Sequence, residues 1–359
     1  MRILYLGLAV LLLSGCASML RRSYASASTH LDYTLTQDQS ILRAESYQGL
    51  VDAILYFVGE RDSTGTIRLY HYTRSVEADL ESARREVLEH TPMGAFAVRD
   101  ITFTFSRIVS YYEIQVSLSY CRTAAEMAAV RPAVGATAIR QELSQAMARF
   151  QSEVTLRISY FSGDEQALLT QALRAYYDTP LAAFGLPSLS VSLYPTTGVQ
   201  RIAHFTLRWP DSAEELTARS EQLLDYARQM LAQAPSSGSH PPEELVALVE
   251  QVWQFDPQGA DDAYATLTGQ PATHQGWALG LELLCQLAQL ENMLVNGSCQ
   301  GQPEYWLIVA HQGGYRHLAR TAGGPGLYTD EELAELGFVW NRDSYPSCGP
   351  AEPRAGVGN

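Results

Sequence analysis

Between residues 39 and 234, stretches in which every second residue is apolar alternate with stretches in which apolar residues recur every three or four positions. The first spacing predicts strands and the second predicts amphipathic helices. The order α-β-α-β-β occurs twice. The predicted elements are 48–59, 67–72, 76–89, 101–105 and 112–120 in the first copy, and 137–150, 154–160, 164–177, 189–193 and 202–209 in the second.

The two copies also share a Thr-Pro dipeptide after the second helix, at Thr91-Pro92 and at Thr179-Pro180. We therefore predict two tandem α+β modules, 39–125 and 126–234. Identity between the copies is low, so the alternative is a chance match of two small α+β segments.

The pattern changes after a helix predicted at 212–233. Residues 235–241 are rich in Pro, Ser and Gly, which is typical of a linker between domains. Residues 242–349 predict a third α+β domain with an antiparallel sheet, and 350–359 predict a disordered tail. The predicted elements of this domain are helices at 242–253 and 279–290, strands that begin near Met293, Glu304 and Tyr315, and a Gly313-Gly314 turn.

Composition excludes two broad classes. Of the 359 residues, 46% are hydrophobic, which is enough for a packed core and argues against overall disorder. The net charge of −14 and the absence of a basic run argue against a nucleic-acid partner. Neither module contains a catalytic cluster, because His71 and His204 are isolated on predicted strands. Trp209 and the tyrosine-rich strands alternate as core residues do, so a binding role for these aromatics is the weaker alternative.

The N-terminus predicts a lipid anchor. Arg2 precedes an apolar run at 3–13 that is too short to span a membrane and has the size of a signal-peptide core. The run ends in Leu-Ser-Gly-Cys, which resembles the bacterial lipobox. The resemblance implies that residues 1–15 are removed and that Cys16 receives acyl chains such as palmitate. We expect a tether at 16–38 and attachment to the extracytoplasmic face of the cell membrane. An ordinary signal peptide with a chance cysteine is the alternative.

Four further cysteines, at positions 121, 285, 299 and 348, allow three disulfide pairings, and the sequence does not choose among them. There is no Cys-x-x-Cys motif, so a structural zinc site is not expected. We predict neither a metal nor a cofactor.

The C-terminal domain carries three motifs in order. The first contains Ala263-Tyr264, Leu267, Gly269, Ala272, Gly276 and Ala278; the second contains Trp306 and Val309; the third contains His317 and Thr321, after a turn with Gly313. These residues resemble the motifs AY..L..G.AVC.GYA, HAWN.V and WYHVD.T of the transglutaminase-like domain of bacterial surface proteins, within the papain-like cysteine enzyme group. The resemblance covers about residues 242–349.

The sequence departs from this family at the residues that perform its chemistry. The position of the nucleophilic cysteine is His274, that of the general-base histidine is Glu304, and that of the orienting aspartate is Ala319. Because such a triad acts as a unit, we expect no acyl transfer. Cys285 lies three turns along the same helix and is expected in the core.

We therefore predict a non-catalytic surface lipoprotein that binds, or acts as a scaffold for, an extracellular peptide, a cell-wall fragment or another protein. The expected binding residues are His274, Trp277, Glu304, Trp306 and His317. The alternative is a hydrolase or a metal-dependent enzyme that uses His274 and Glu304 in the remodelled cleft, with His317 completing a set of metal ligands.

Overall fold

The computed structural model describes residues 33–35, 41–235 and 240–349. The signal peptide, Cys16, most of the tether and the tail at 350–359 lie outside the described residues, so those expectations stay predictions. No described helix is both long and apolar enough to cross a membrane. The protein has an α+β fold with several sheets, and it divides into two compact units, one ending at Ala129 and the other beginning at Val130.

The first unit is a five-stranded sheet with helices. The sheet order is β1-β2-β3-β5-β4, in which β2 and β3 are parallel and the other neighbours are antiparallel. The elements are β1 (Tyr33–Leu35), β2 (Ile41–Ala44), α1 (Tyr47–Glu60), β3 (Thr64–Tyr70), α2 (Val76–His90), α3 (Pro92–Ala97), β4 (Val98–Ile108), β5 (Tyr111–Tyr120) and α4 (Ala124–Ala128).

Local sequence explains why these elements form. The Ser46 side chain accepts a hydrogen bond from the third residue of α1, which caps one of the free N–H groups at the helix start. Leu50 and Ile54, four residues apart, are fully buried on one side of α1. In β3 the alternating residues Ile67 and Leu69 are fully buried. The helix and the sheet therefore bury their apolar sides together.

The second unit begins with a four-stranded sheet of the order β6-β7-β9-β8. Again the first two strands are parallel and the others antiparallel. Its elements are β6 (Arg131–Val134), α5 (Gly135–Met147), β7 (Glu153–Ser159), α6 (Glu165–Tyr177), a 3-10 turn (Pro180–Ala182), β8 (Ser188–Tyr194), β9 (Gln200–Arg208) and α7 (Ala213–Ala232).

The rest of the second unit is built around an antiparallel five-stranded sheet of the order β15-β14-β13-β12-β16. Two short strands that precede this sheet in the sequence, β10 and β11, form a separate parallel pair. The elements are α8 (Pro242–Val252), β10 (Gln254–Ala260), α9 (Ala263–Leu267), β11 (Pro271–Ala272), α10 (His274–Leu287), β12 (Asn292–Cys299), β13 (Gln302–His311), β14 (Gly314–Thr321), β15 (Gly324–Tyr328), α11 (Asp330–Glu335), β16 (Phe338–Val339) and a 3-10 turn (Arg342–Ser344).

The linker expected at 235–241 does not separate two compact units. A single hydrophobic cluster contains residues from both sides of it, including Leu156, Phe205, Leu245, Leu281 and Leu307. Chain segments that share a core do not behave as independent domains. The Pro/Ser/Gly composition therefore marks a connection inside the second unit.

Each helix and strand predicted between residues 48 and 209 overlaps an observed element, but the pattern missed the strands that begin the two sheets. The missed strands are β1, which lies inside the tether expected at 16–38, β2 and β6. They have three or four residues each, which is too short for alternation to be recognised. The turn between β13 and β14 also differs from the prediction. Gln312 and Gly313 form it, with φ of 50° and 81°, while Gly314 already pairs with His311. A two-residue hairpin turn of this type needs positive φ at both central positions.

Candidate functional site

His274 and Glu304, two of the residues that the sequence motifs single out, lie in direct contact. His274 is the first residue of α10, and the side chain of the preceding Thr273 caps that helix. Glu304 lies near the start of β13. His274 Nδ1 is 2.9 Å from Glu304 Oε2 and 3.1 Å from Oε1, so the carboxylate accepts a hydrogen bond from the ring.

The pair is only partly accessible to solvent. The side chain of His274 is 33% exposed and that of Glu304 is 16% exposed. Because the carboxylate holds the proton on Nδ1, the other ring nitrogen, Nε2, is the basic atom. No described residue forms a hydrogen bond with Nε2. The arrangement orients an imidazole but supplies no nucleophile.

Two aromatic side chains lie against His274, and the sequence analysis identified neither. The Phe255 ring is 4.6 Å from the His274 ring at an interplanar angle of 31°, and the Trp253 ring is 6.0 Å away. Phe255 is itself 54% exposed. A signal was present in the sequence, since two aromatics at i and i+2 in an extended segment lie on the same side of it.

Trp277 was expected to contact a ligand, but it is fully buried. Its Nε1 donates a hydrogen bond to Glu250 Oε1 at 2.8 Å. Glu250 also pairs with Arg320 at 2.5 Å, and the Arg320 guanidinium lies 4.6 Å from the centre of the Trp253 ring. Trp277 therefore supports this network from the core and does not reach the surface.

His317 does not join His274 and Glu304, contrary to the expected three-residue set. It is fully buried, and its Nε2 lies 2.8 Å from Asp330 Oδ1. Its Nδ1 accepts a hydrogen bond of 3.0 Å from Trp306 Nε1. His317 shares a strand side with Ala319, as expected. On that side Ala319 belongs to a second hydrophobic cluster, which includes Leu333 and Cys348.

Trp306 was also expected to bind a ligand and is also fully buried. It packs over Gly297 on the neighbouring strand, where an added Cβ would come within 2.5 Å of the indole. The absence of a side chain at Gly297 thus creates the space for Trp306. Trp306 positions His317 through its hydrogen bond and has no exposed surface for a ligand.

His317, Asp330 and Cys348 are the described residues whose donor atoms come close enough to suggest a metal site, all within 4.8 Å of one another. The chemistry of the donors does not fit one. Indole N–H is only a donor, so Nδ1 of His317 accepts and the proton lies on Nε2, the atom that would have to bind the metal. Burial raises the pKa of the Cys348 thiol to about 12, which disfavours the thiolate.

The same three residues form a structural cluster. Asp330 Oδ2 accepts a hydrogen bond from the Cys348 backbone N–H at 3.0 Å, and the Asp330 N–H donates to the Cys348 carbonyl at 2.7 Å. Burial lowers the pKa of His317, although the Asp330 carboxylate acts in the opposite direction. A neutral His317 on β14 therefore binds Asp330, which in turn holds the backbone of Cys348.

No cysteine of the second unit is activated for nucleophilic attack. Burial raises the pKa of Cys285, Cys299 and Cys348, and the charge of Glu304 raises that of Cys299 further. All four cysteines at positions 121, 285, 299 and 348 are free thiols, so none of the three pairings occurs. Cys285 is fully buried in the main core, as expected, and Ala319 offers only a buried methyl group.

Comparisons with known proteins provide little further information. No family model matches the chain, and no curated protein matches it significantly. Among solved structures, one described as a crystal structure of a TGase aligns with 56% of this chain at 16% identity and a TM-score of 0.27. This chain spans 61% of the length of that one. So weak a likeness carries no argument about function.

Proposed function

We propose that the protein is a lipid-anchored, non-catalytic binding protein, in which residues 242–349 form a transglutaminase-like domain without its triad. The observation that carries this proposal is the hydrogen bond between His274 and Glu304. His274 begins α10 and Glu304 lies on β13, and these are the two positions that the family motifs assign to the nucleophile and the base. Neither residue is a thiol.

The chemistry of the pair supports a non-catalytic role. Covalent acyl transfer needs an activated nucleophile beside the base. The three thiols of the second unit are protonated at neutral pH, because burial raises their pKa further above the ordinary value for a thiol. Phe255 also stacks on the ring that would act as the base. The exposed part of Phe255, together with His274 and Glu304, provides an aromatic and polar surface suited to a peptide.

We also infer that residues 39–125 and 126–234 are tandem copies of one module. The shared strand order and strand directions support this inference. A finer feature supports it too. In each copy a residue with positive φ directly follows the second strand, His71 at 51° and Tyr160 at 54°, and the next helix begins five residues later.

The proposed ligand is a peptide-bearing component of the cell surface, such as a cell-wall fragment. The test is sedimentation of the purified full-length protein with isolated cell walls. We expect wild type to cosediment and Phe255→Ala to lose most of the bound fraction, because half of the ring is available to a ligand. Leu336→Ala, at another exposed apolar residue, is the matched control and is expected to bind as wild type does. Equal binding by both variants would overturn the assignment of this surface.

The His274–Glu304 contact also favours a second candidate, a hydrolase in which Nε2 of His274 activates water. Hydrolysis of acyl and peptide probes separates the two functions. We expect wild type and His274→Ala to hydrolyse the probes at the same rate, which is the background rate. A rate above that variant, lost again in Glu304→Gln, establishes the enzyme and rejects the non-catalytic proposal.

Lipid attachment is tested separately, in a bacterial host that processes lipoproteins. Labelled palmitate is expected to enter wild type and to be absent from Cys16→Ser, which should also leave the membrane fraction. Label in Cys16→Ser, or its absence from wild type, contradicts the anchor.

A further inference from the structure

A cavity of about 1050 Å³ lies at one end of the sheet β6-β7-β9-β8. The loop between β7 and α6 forms one wall, and the hairpin between β8 and β9 forms the other. Apolar atoms provide more of the lining surface than polar atoms do, although most of the lining residues are polar or charged. The apolar lining residues are Tyr160, Phe161, Leu169, Leu193 and Val199.

Arg201 lines this cavity from a position where the sheet otherwise carries core residues. Ala203, Phe205 and Leu207 follow it at alternate positions on β9, and all are buried in the main cluster. Arg201 pairs with Ile158 of β7, another core residue. Arg201 is only 4% exposed, so a guanidinium that stays charged in proteins is buried at the end of a hydrophobic layer.

The guanidinium is held in place but not neutralised. Nη2 donates to the carbonyl oxygens of Phe161 and Gly163, both at 2.8 Å. Nε is buried and has no hydrogen-bond partner among the described residues, and no described carboxylate forms an ion pair with Arg201. A buried charge without a counter-ion is costly, and the remaining N–H groups of a planar guanidinium are suited to a carboxylate.

The first unit offers an internal comparison. A cavity of about 390 Å³ occupies the corresponding place, between the loop after β3 and the hairpin of β4 and β5. Leu69 of β3 pairs with Tyr112 there, as Ile158 of β7 pairs with Arg201. Leu69 and Ile158 each lie two residues before the residue with positive φ. The second copy therefore has a larger cavity and a buried cation where the first has a tyrosine.

From the buried, unneutralised Arg201 at the wall of this largely apolar cavity, we propose that the second sheet binds a small monocarboxylate with an apolar body. The carboxylate pairs with Arg201, and the apolar body lies against the aromatic and aliphatic lining. Asp164 and Glu165 also line the cavity, and their negative charges repel a ligand with several anionic groups more strongly than a monocarboxylate. The site is separate from the His274–Glu304 surface and does not depend on its function.

The probe is octanoate, with octanamide as its uncharged counterpart, titrated calorimetrically against the full-length protein. We expect saturable octanoate binding that is weakened about tenfold in Arg201→Gln, and octanamide binding that this variant leaves unchanged. Tyr112→Phe, at the corresponding position of the first unit, is the matched control and should bind octanoate as wild type does. Equal affinity for octanoate and octanamide in wild type, or no saturable octanoate binding at millimolar concentration, overturns the proposal.

Arg201→Gln removes two hydrogen bonds to the loop, so a second pair of variants leaves the arginine in place. Val199 lines the cavity and is 81% exposed, which makes its substitution harmless to the core. Val199→Glu should weaken octanoate binding severalfold by charge repulsion and spare octanamide, whereas Val199→Gln should spare both. Equal effects of the Glu and Gln substitutions on octanoate contradict recognition of the carboxylate at this site.

Discussion

Two of the histidine–carboxylate contacts in the second unit have nearly the same length and differ in their surroundings. His274 and Glu304 lie 2.9 Å apart, and His317 and Asp330 lie 2.8 Å apart. The first histidine is one-third exposed and has one free ring nitrogen, whereas the second is fully buried and has a partner on each nitrogen. Environment, rather than the pairing itself, decides that the first is suited to contact with a ligand and the second to holding the fold together.

The energetic consequences also differ. Around the buried pair, removal of one partner leaves polar groups without hydrogen bonds in a place that water does not reach. Around the partly exposed pair of His274 and Glu304, water replaces a lost partner at a lower cost. Substitutions at the two histidines therefore provide a direct test of this comparison.

His317→Ala should have the largest effect. It removes a buried ring and takes the hydrogen-bond partner from both Trp306 Nε1 and Asp330 Oδ1, so we expect the free energy of unfolding to fall by about 3–4 kcal/mol. Urea unfolding at neutral pH measures the change. A loss no larger than that of an exposed substitution would show that the buried cluster does not hold the fold.

Trp306→Phe tests one bond of the same cluster. The ring is kept in part, but His317 Nδ1 loses its donor, and we expect a loss of about 2 kcal/mol. In the double variant with His317→Ala the two losses should not add, because they remove the same interaction. Additive losses in urea unfolding contradict the hydrogen bond as the source of the effect.

The pH dependence of stability should also distinguish the buried histidine. Because burial lowers the pKa of His317 in the folded state, the unfolded chain binds a proton at higher pH than the folded protein does. The contribution of this residue to stability is therefore complete above the unfolded pKa, about 6.5, and is lost as the pH falls below it. His317→Gln keeps a donor and an acceptor without titrating, so its stability should fall less than that of wild type between about pH 7.5 and 5.5. Parallel pH profiles would falsify this assignment.

His274→Ala should have the smallest effect on stability. The contact with Glu304 is partly exposed, so we expect a loss below about 1 kcal/mol. The same urea titration provides the measurement, with His317→Ala as the reference. A loss comparable to that of the reference variant would show that both pairs are structural, and would weaken the proposal that this surface binds a ligand.

The motif positions were enough to predict that His274 and Glu304 come together, and the hydrogen bond between their side chains shows that they do. The same reasoning did not hold for His317. The sequence places it on the same strand side as Ala319, but its partner Asp330 and its covering residue Cys348 come from segments 13 and 31 residues later. No local pattern indicates where those segments return.

Burial was the least predictable property of the candidate residues. Trp277 and Trp306 are both aromatic and near the expected cleft, which made them reasonable ligand contacts, yet both are fully buried with a hydrogen-bond partner for the indole. Phe255, three residues after the end of α8, is the ring that reaches solvent beside His274. The identity of these aromatic residues does not reveal which ring lies on the surface.

The sequence by itself determined the longer helices and strands between residues 48 and 209, because their apolar spacing is a local property. It also determined that His274, Glu304 and Ala319 stand at the three motif positions, because that depends only on residue identity. The tertiary structure alone decided the rest. It joined segments on both sides of residues 235–241 in one core and separated His317 from His274. It also buried Arg201 at the wall of a cavity. These outcomes depend on contacts between residues distant in the chain, whose energies no single stretch of sequence contains.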